Sequence, residues 1–140
     1  MASLTPVRPP DGVLEPLVRA AVLPGLGPAR MRRALLDPRG PEAGLLAALA
    51  AARRGLGERQ VRRASGWAVR ALETIHRDGL HVLTPGMDRY PEGLDPLPSP
   101  PCPLFARGRL ELLDAPGIAV VGTRRCSAYG REAARRIARG

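Results

Sequence analysis

Lysine is absent from the sequence, so all 22 of its basic side chains are arginines, set against 13 Asp and Glu residues. The resulting formal net charge of +9 favours a polyanionic partner such as nucleic acid. Arginine is well suited to binding phosphate because its planar guanidinium group can donate two parallel hydrogen bonds to it. A coding bias toward arginine would give the same composition with scattered charge, and the two explanations can coexist.

Cysteine and histidine are scarce, with two of each. Cys102 and Cys126 have neither metal-ligand spacing nor the density of a disulfide framework, which indicates a reducing compartment. Because His76 and His81 are isolated and the carboxylates are scattered, we predict no metal, no cofactor and no catalytic residues. The longest Ala/Leu run, residues 44–52, is too short to cross a bilayer, and no signal segment opens the chain. We therefore expect a cytoplasmic protein without a membrane contact.

Hydrophobic periodicity predicts a small helical domain over residues 11–79, preceded by a flexible tail over residues 1–10. Gly79 has the position of a left-handed C-terminal cap. Trp67 lies on the last helix, and a lone aromatic at helical spacing is predicted to be a packing residue. The helices are expected near residues 11–23, 28–35, 42–54 and 58–78.

From residue 80 the pattern changes to short apolar segments separated by Pro and Gly. Strand, glycine turn and helix in sequence are half of a βαβ unit, so the fold class is expected to be α+β to α/β. An unpaired strand and helix cannot bury their apolar faces, so residues 80–140 are expected to be an incomplete domain, truncated at Gly140. The predicted elements are short strands at 81–83 and 104–106, a helical turn near 110–113, a buried strand at 118–121 and a helix at 130–138.

The segment LPGLG, residues 23–27, joins the first two helices and has the pattern of a helix-hairpin-helix. In such a hairpin the backbone amides of the turn and of the second helix face a DNA phosphate. Gly25, Gly27 and Arg30 are therefore predicted to contact DNA, without sequence preference and with strong salt dependence. The same turn could merely pack two helices, and a five-residue pattern leaves both interpretations open.

The segment GTRRCSAYG, residues 122–130, follows the predicted buried strand, where open α/β sheets bind phosphates. It offers a glycine for close approach, two hydroxyls, free helix amides and two guanidinium groups. Its glycine spacing is not GxGxxG and it has no GK[ST] triplet, so a dinucleotide fingerprint and a Walker loop are excluded. A plain turn with exposed arginines is the alternative. The predicted DNA-contacting residues here are Gly122, Thr123, Arg124, Arg125 and Ser127.

Residues 118–130, IAVVGTRRCSAYG, resemble the strand-and-loop motif of the DNA-processing protein A family, also called Smf. Upstream, a YP…L, PP…LF, RG and LL run between residues 90 and 113 resembles the same family in order. The LPGLG helices resemble its N-terminal domain, so the likeness extends over about residues 14–140. Ala128, Phe105 and Cys126 depart from the family's usual residues.

The resemblance implies a sterile-alpha-motif-like (SAM-like) helical domain followed by an extended Rossmann-like domain. It implies a non-enzymatic protein of natural transformation that coats incoming single-stranded DNA, shields it from nucleases and loads a RecA-type recombinase. A homodimer is implied for the full-length form. By position, Arg124 is the main phosphate contact, Gly122 and Thr123 shape the pocket, and Arg125 is a second choice.

Two other interpretations remain. A Rossmann-fold nucleotide-processing enzyme of the lysine-decarboxylase-like phosphoribohydrolase group resembles this fold. Its PGGxGT loop does not occur before Gly140 but is expected further along such a domain, so the PP and RG run upstream is what favours the first interpretation. A helix-hairpin-helix repair module fused to an unrelated domain would explain only the first eighty residues.

Overall fold

The computed structural model describes residues 5–139, and the four predicted helices are present within two residues of their expected bounds. They pack around α1, which contacts the other three. The helices are α1 Asp11–Val22, α2 Pro28–Leu35, α3 Pro41–Arg53 and α4 Glu58–Arg77.

Proline and glycine set the helix ends. Pro28 and Pro41 occupy the first turns of α2 and α3, where a missing amide costs nothing. At the end of α4, Gly79 has φ +61°, and the Leu80 amide donates to the Ile75 carbonyl at 3.0 Å, as expected for a left-handed cap. Pro16 lies inside α1, which begins at Asp11.

The core of the helical region consists of aliphatic side chains. Leu17, Val18, Leu45 and Ile75 are fully buried. Each such side chain contributes about 1.5–3 kcal/mol through burial. Leu46 is 51% exposed, because its neighbour Leu45 occupies the inward position and adjacent helical residues cannot face the same way.

Two three-residue strands form an antiparallel ribbon, as the short apolar segments predicted. Strand β1 (His81–Leu83) pairs with β2 (Leu104–Ala106), with Val82 opposite Phe105. Val82 and Cys102 belong to the same buried cluster as the helical core. The ribbon therefore packs on the helices. A turn of 3-10 helix, Leu110–Leu112, follows as predicted.

Residues 5–10 lie against the junction of α4 and β1. The Val7 amide donates to His81 Nδ1 at 2.9 Å, and the Val82 amide donates to the Val7 carbonyl at 2.9 Å. The other ring nitrogen of His81, Nε2, is 2.9 Å from the Gly108 carbonyl oxygen and can donate to it. Arg8 donates to two backbone carbonyls at the end of α4. These bonds connect Val7 and Arg8 to the helical region and to β1. The flexible tail expected over residues 1–10 stays a prediction, and residues 1–4 of it lie outside the described residues.

The predicted buried strand at 118–121 is wrong. These residues form no strand, and Ile118 and Val121 are 89% and 91% exposed. A strand needs a hydrogen-bonded neighbour, and among residues 5–139 β1 and β2 pair only with each other. Helix α5 (Ala128–Arg139) begins two residues earlier than expected. The architecture is mostly helical with a small antiparallel sheet, which is compatible with α+β.

Residues 90–103 form a series of turns and bends in which Tyr90 is buried. The Tyr90 hydroxyl donates to the Pro101 carbonyl at 2.8 Å, which fixes one end of the segment against the other. Because prolines occupy this segment without backbone amides, turns and side-chain bonds replace a sheet ladder.

Burial of Cys102 makes its thiol unreactive. Burial raises the pKa of this thiol to about 11, against the opposing effect of Arg32, so the nucleophilic thiolate is scarce at pH 8. Cys126 is only partly covered. We expect Ellman's reagent to titrate one thiol in the folded protein and two after denaturation. Cys126→Ser should remove the fast reaction, and two fast thiols in the native protein would contradict this assignment.

Candidate nucleic-acid interface

The loop at residues 122–127 lies on the surface immediately before α5. The side chains of Arg124 and Arg125 are exposed. Thr123 Oγ1 accepts the Arg125 amide at 3.4 Å, and Ser127 Oγ accepts the Gly130 amide at 3.1 Å. Ser127 is thus the N-cap of α5, which adds a local role to the DNA contact predicted for it.

A concavity of about 640 Å³ lies between this loop and α5. Gly122, Thr123 and Ser127 line it, so three of the five predicted loop residues come together. Arg124 and Arg125 are not part of its lining. Apart from its two chain neighbours, no atom of residues 5–139 lies within 4 Å of where a Cβ on Gly122 would be, so the backbone is open to a ligand.

The cations that line this concavity are Arg131 and Arg135, which were not predicted from the sequence. They lie four residues apart on one face of α5, in helical register with Ser127. Neither forms a salt bridge within the described residues, whereas Arg136 on the same helix pairs with Glu132 at 3.6 Å. Helical spacing from Ser127 was the signal that could have identified them.

The LPGLG turn presents its backbone to solvent while its leucines anchor it. Leu23 and Leu26 are buried, and Gly25 and Gly27 are exposed. Gly25 has φ +85°, a conformation that favours glycine. Within the described residues the backbone amides of Gly25, Gly27 and Ala29 have no protein acceptor.

Arg30 stabilises the LPGLG turn through a hydrogen bond to its backbone. Its Nη1 donates to the Gly25 carbonyl at 3.0 Å, which leaves the remaining guanidinium donors at the surface. The first turn of α2 contains no acidic residue. The turn therefore combines free amides, a helix N-terminus and a cation, a set that suits an anion.

A carboxylate beside α2 modifies the local charge. Hydrogen bonds from the Arg39 guanidinium and amide hold the pKa of Asp37 at about 2, so Asp37 stays ionised and ion-paired. Arg30 and Arg33 share with Asp37 a concavity of about 390 Å³. Two arginines and an already neutralised carboxylate leave this surface positive.

The structure does not unite the two predicted surfaces. No hydrogen bond or salt bridge among residues 5–139 joins the LPGLG turn to the loop before α5, and neither of the two concavities just described includes residues of both. They are separate candidate contacts.

Two further properties concern residues 5–139 alone. They contain no cluster of three or more His, Cys, Asp or Glu side chains that could bind a metal ion. Their helices include none with the length and apolar character needed to span a membrane.

Fold and surface together define a basic α+β protein with arginine-lined concavities suited to anions. Residues 81–140 match the family model described as DNA recombination-mediator protein A. The match confirms, for that segment, the family resemblance seen in its motifs, and it indicates a role in DNA recombination. It covers less than half of the chain and does not include the LPGLG turn, whose likeness stays a prediction. No curated protein matches the chain significantly, and no solved structure does.

Proposed function

We propose that this protein binds single-stranded DNA without sequence preference and acts as a recombination mediator. In that role it coats incoming DNA during natural transformation, protects it from nucleases and loads a RecA-type recombinase. The observation that carries the proposal is the match of residues 81–140 to DNA recombination-mediator protein A, in a segment that presents an arginine-lined concavity.

The chemistry of that concavity suits a phosphodiester backbone. Arg131 and Arg135 supply charge-assisted donors inside it, and Thr123 supplies a hydroxyl. Arg124, exposed beside it, would contact a neighbouring phosphate of a bound strand. Such contacts recognise the charge and spacing of the phosphates and do not involve the base edges. The affinity would therefore depend on the salt concentration and not on the DNA sequence.

The proposal includes the finer assignments implied by the family resemblance. The helical region would correspond to the SAM-like domain and residues 80–140 to part of an extended Rossmann-like domain. A longer form would pair as a homodimer through later strands of that domain. The protein would act in the cytoplasm, where transforming DNA meets the recombinase.

Fluorescence anisotropy tests the binding step. Labelled oligo(dT) and a matched duplex are titrated with the wild-type chain and with Arg124→Ala, at low and moderate salt. We expect the single strand to bind more tightly than the duplex, with affinity falling as salt rises and a loss of about fivefold in Arg124→Ala. Removal of one phosphate contact should also make the salt dependence shallower.

Arg19→Ala is the matched control, because it removes one positive charge from α1 that is already paired with Glu15 at 2.7 Å. It should bind like the wild-type chain. If neither DNA binds at low salt the proposal fails, and nucleotide hydrolysis becomes the activity to assay. If both variants lose affinity equally, net charge rather than the loop before α5 drives binding.

A further inference from the structure

Trp67 lies at the surface rather than in the core. It is 55% exposed, although a lone aromatic on a helix was expected to pack inside. Ala64, Ala68 and Ile75 form the buried face of α4, and Trp67 lies beside that face. With Gln60, Arg63, Arg70 and Thr74 it forms one stripe along the helix at alternating spacings of three and four residues.

Concavities flank Trp67 on both sides of this stripe. One, of about 320 Å³, lies between α4 and the LPGLG turn and is lined by Arg63, Trp67 and Pro24. The other, of about 450 Å³, lies between α4 and β2 and is lined by Trp67, Arg70 and Phe105. Phe105 is 46% exposed. Two of the chain's four aromatic side chains therefore face solvent in a single groove.

The stripe carries unopposed positive charge. Arg63 and Arg70 form no salt bridge within the described residues, whereas Arg62 on another face pairs with Glu58 at 3.1 Å. The other glutamate of α4, Glu73, follows Arg70 by three residues but forms no salt bridge with it within the described residues. An apolar groove bordered by free arginines suits a ligand with flat apolar faces and negative charge.

We infer that this groove, the α4 groove, is a base-stacking platform for single-stranded DNA. Bases stack on Trp67 and Phe105, and Arg63 and Arg70 contact the flanking phosphates. The inference rests on the proposed function and adds a second contact surface to the loop before α5. Through Pro24, the groove continues to the LPGLG turn, so one strand can contact the turn's amides and the stacking platform in succession.

Charge argues against a second copy of the chain as the occupant of the α4 groove. A two-fold interface brings the same patch of both subunits together, so Arg63 and Arg70 would approach their own like-charged counterparts. A nucleic-acid strand instead neutralises both arginines and offers a planar ring to each aromatic side chain.

The chain has a single tryptophan, so its tryptophan fluorescence, excited selectively over that of the two tyrosines, reports on Trp67 alone. The wild-type chain is titrated with oligo(dT) and with an abasic oligomer of equal length and charge. We expect saturable quenching with oligo(dT) and little change with the abasic strand, because only a stacked base contacts the indole. Anisotropy of labelled forms of both oligomers measures binding independently of quenching.

Substitutions at Trp67 measure how much its indole ring contributes to the affinity for oligo(dT). Trp67→Ala should weaken oligo(dT) binding roughly tenfold, while Trp67→Phe, which keeps a ring, should stay within about threefold of wild type. Val69→Ala is the matched control, since Val69 is an exposed apolar residue on another face of α4. Circular dichroism checks that each variant keeps its helices.

The outcomes separate this inference from the proposed function. If oligo(dT) binds by anisotropy without quenching, and Trp67→Ala binds normally, the α4 groove is not a stacking site while the proposed function stands. If tryptophan emission shifts with protein concentration in the absence of DNA, a second copy occupies the groove and the inference is overturned. If neither oligomer binds, the proposed function and this inference fail together.

Discussion

Replacing Gly44 with alanine is expected to lower the melting temperature of the helical region by roughly 10 °C, the largest stability effect that we predict for one methyl group. Gly44 lies in the first turns of α3, where that helix crosses the end of α2. A Cβ built on it collides with the Ala34 carbonyl oxygen and lies 2.6 Å from the Asp37 Cβ. Because a carbonyl oxygen cannot rotate away as a side chain can, the two helices must separate, at a cost of about 3 kcal/mol.

Gly66→Ala provides the matched control, since it makes the same change inside α4. The nearest atom to a Cβ there is the Arg70 Nη1 at 3.7 Å, which is ordinary contact with a flexible group. Alanine should therefore stabilise α4 by about 0.5–1 kcal/mol through helix propensity. Thermal denaturation followed at 222 nm measures both variants. If Gly44→Ala melts at or above the wild-type temperature, the close approach of α2 and α3 is incorrect.

The helices were predictable because their determinants are local. Proline in the first turn, glycine after the last turn and apolar residues every three or four positions all act within one element. Side-chain direction was harder in α3, whose many alanines leave the face bearing Leu45 little different from the face bearing Leu46. The strand expected at 118–121 failed for a different reason, because a strand is stable only beside a hydrogen-bonded partner supplied by distant residues.

The candidate site was predictable in composition and less so in geometry. Glycine, hydroxyl and arginine residues before α5 indicated an anion site, and the concavity contains Gly122, Thr123 and Ser127. Its lining cations come from the helix instead, because side chains at positions 131 and 135 project toward the loop while consecutive loop residues point in different directions. Exposure of Trp67 likewise depends on which face of α4 packs, and the alanines at 64 and 68 were the available signal.

Reversing both charges in Arg131→Glu with Arg135→Glu is expected to lower affinity for oligo(dT) by more than about tenfold at 50 mM salt. Each arginine that contacts a phosphate releases counterions, and removing two such contacts should reduce the salt slope by about 1.4 for a single strand. The introduced carboxylates add repulsion, which is screened as salt rises. The deficit should therefore be largest at low salt and shrink at high salt, as measured by anisotropy across a salt series.

A variant with the same net charge distinguishes site from overall charge. Arg19→Glu with Arg136→Glu makes an equal change at two arginines that already pair with Glu15 and Glu132 and do not line the concavity before α5. If long-range electrostatic attraction between the whole protein and the DNA dominates, both double variants lose affinity to the same extent. If the concavity holds the strand, only the first loses affinity strongly and shows the shallower slope. Equal losses would mean that net charge, and not contact of Arg131 and Arg135 with the strand, determines the affinity.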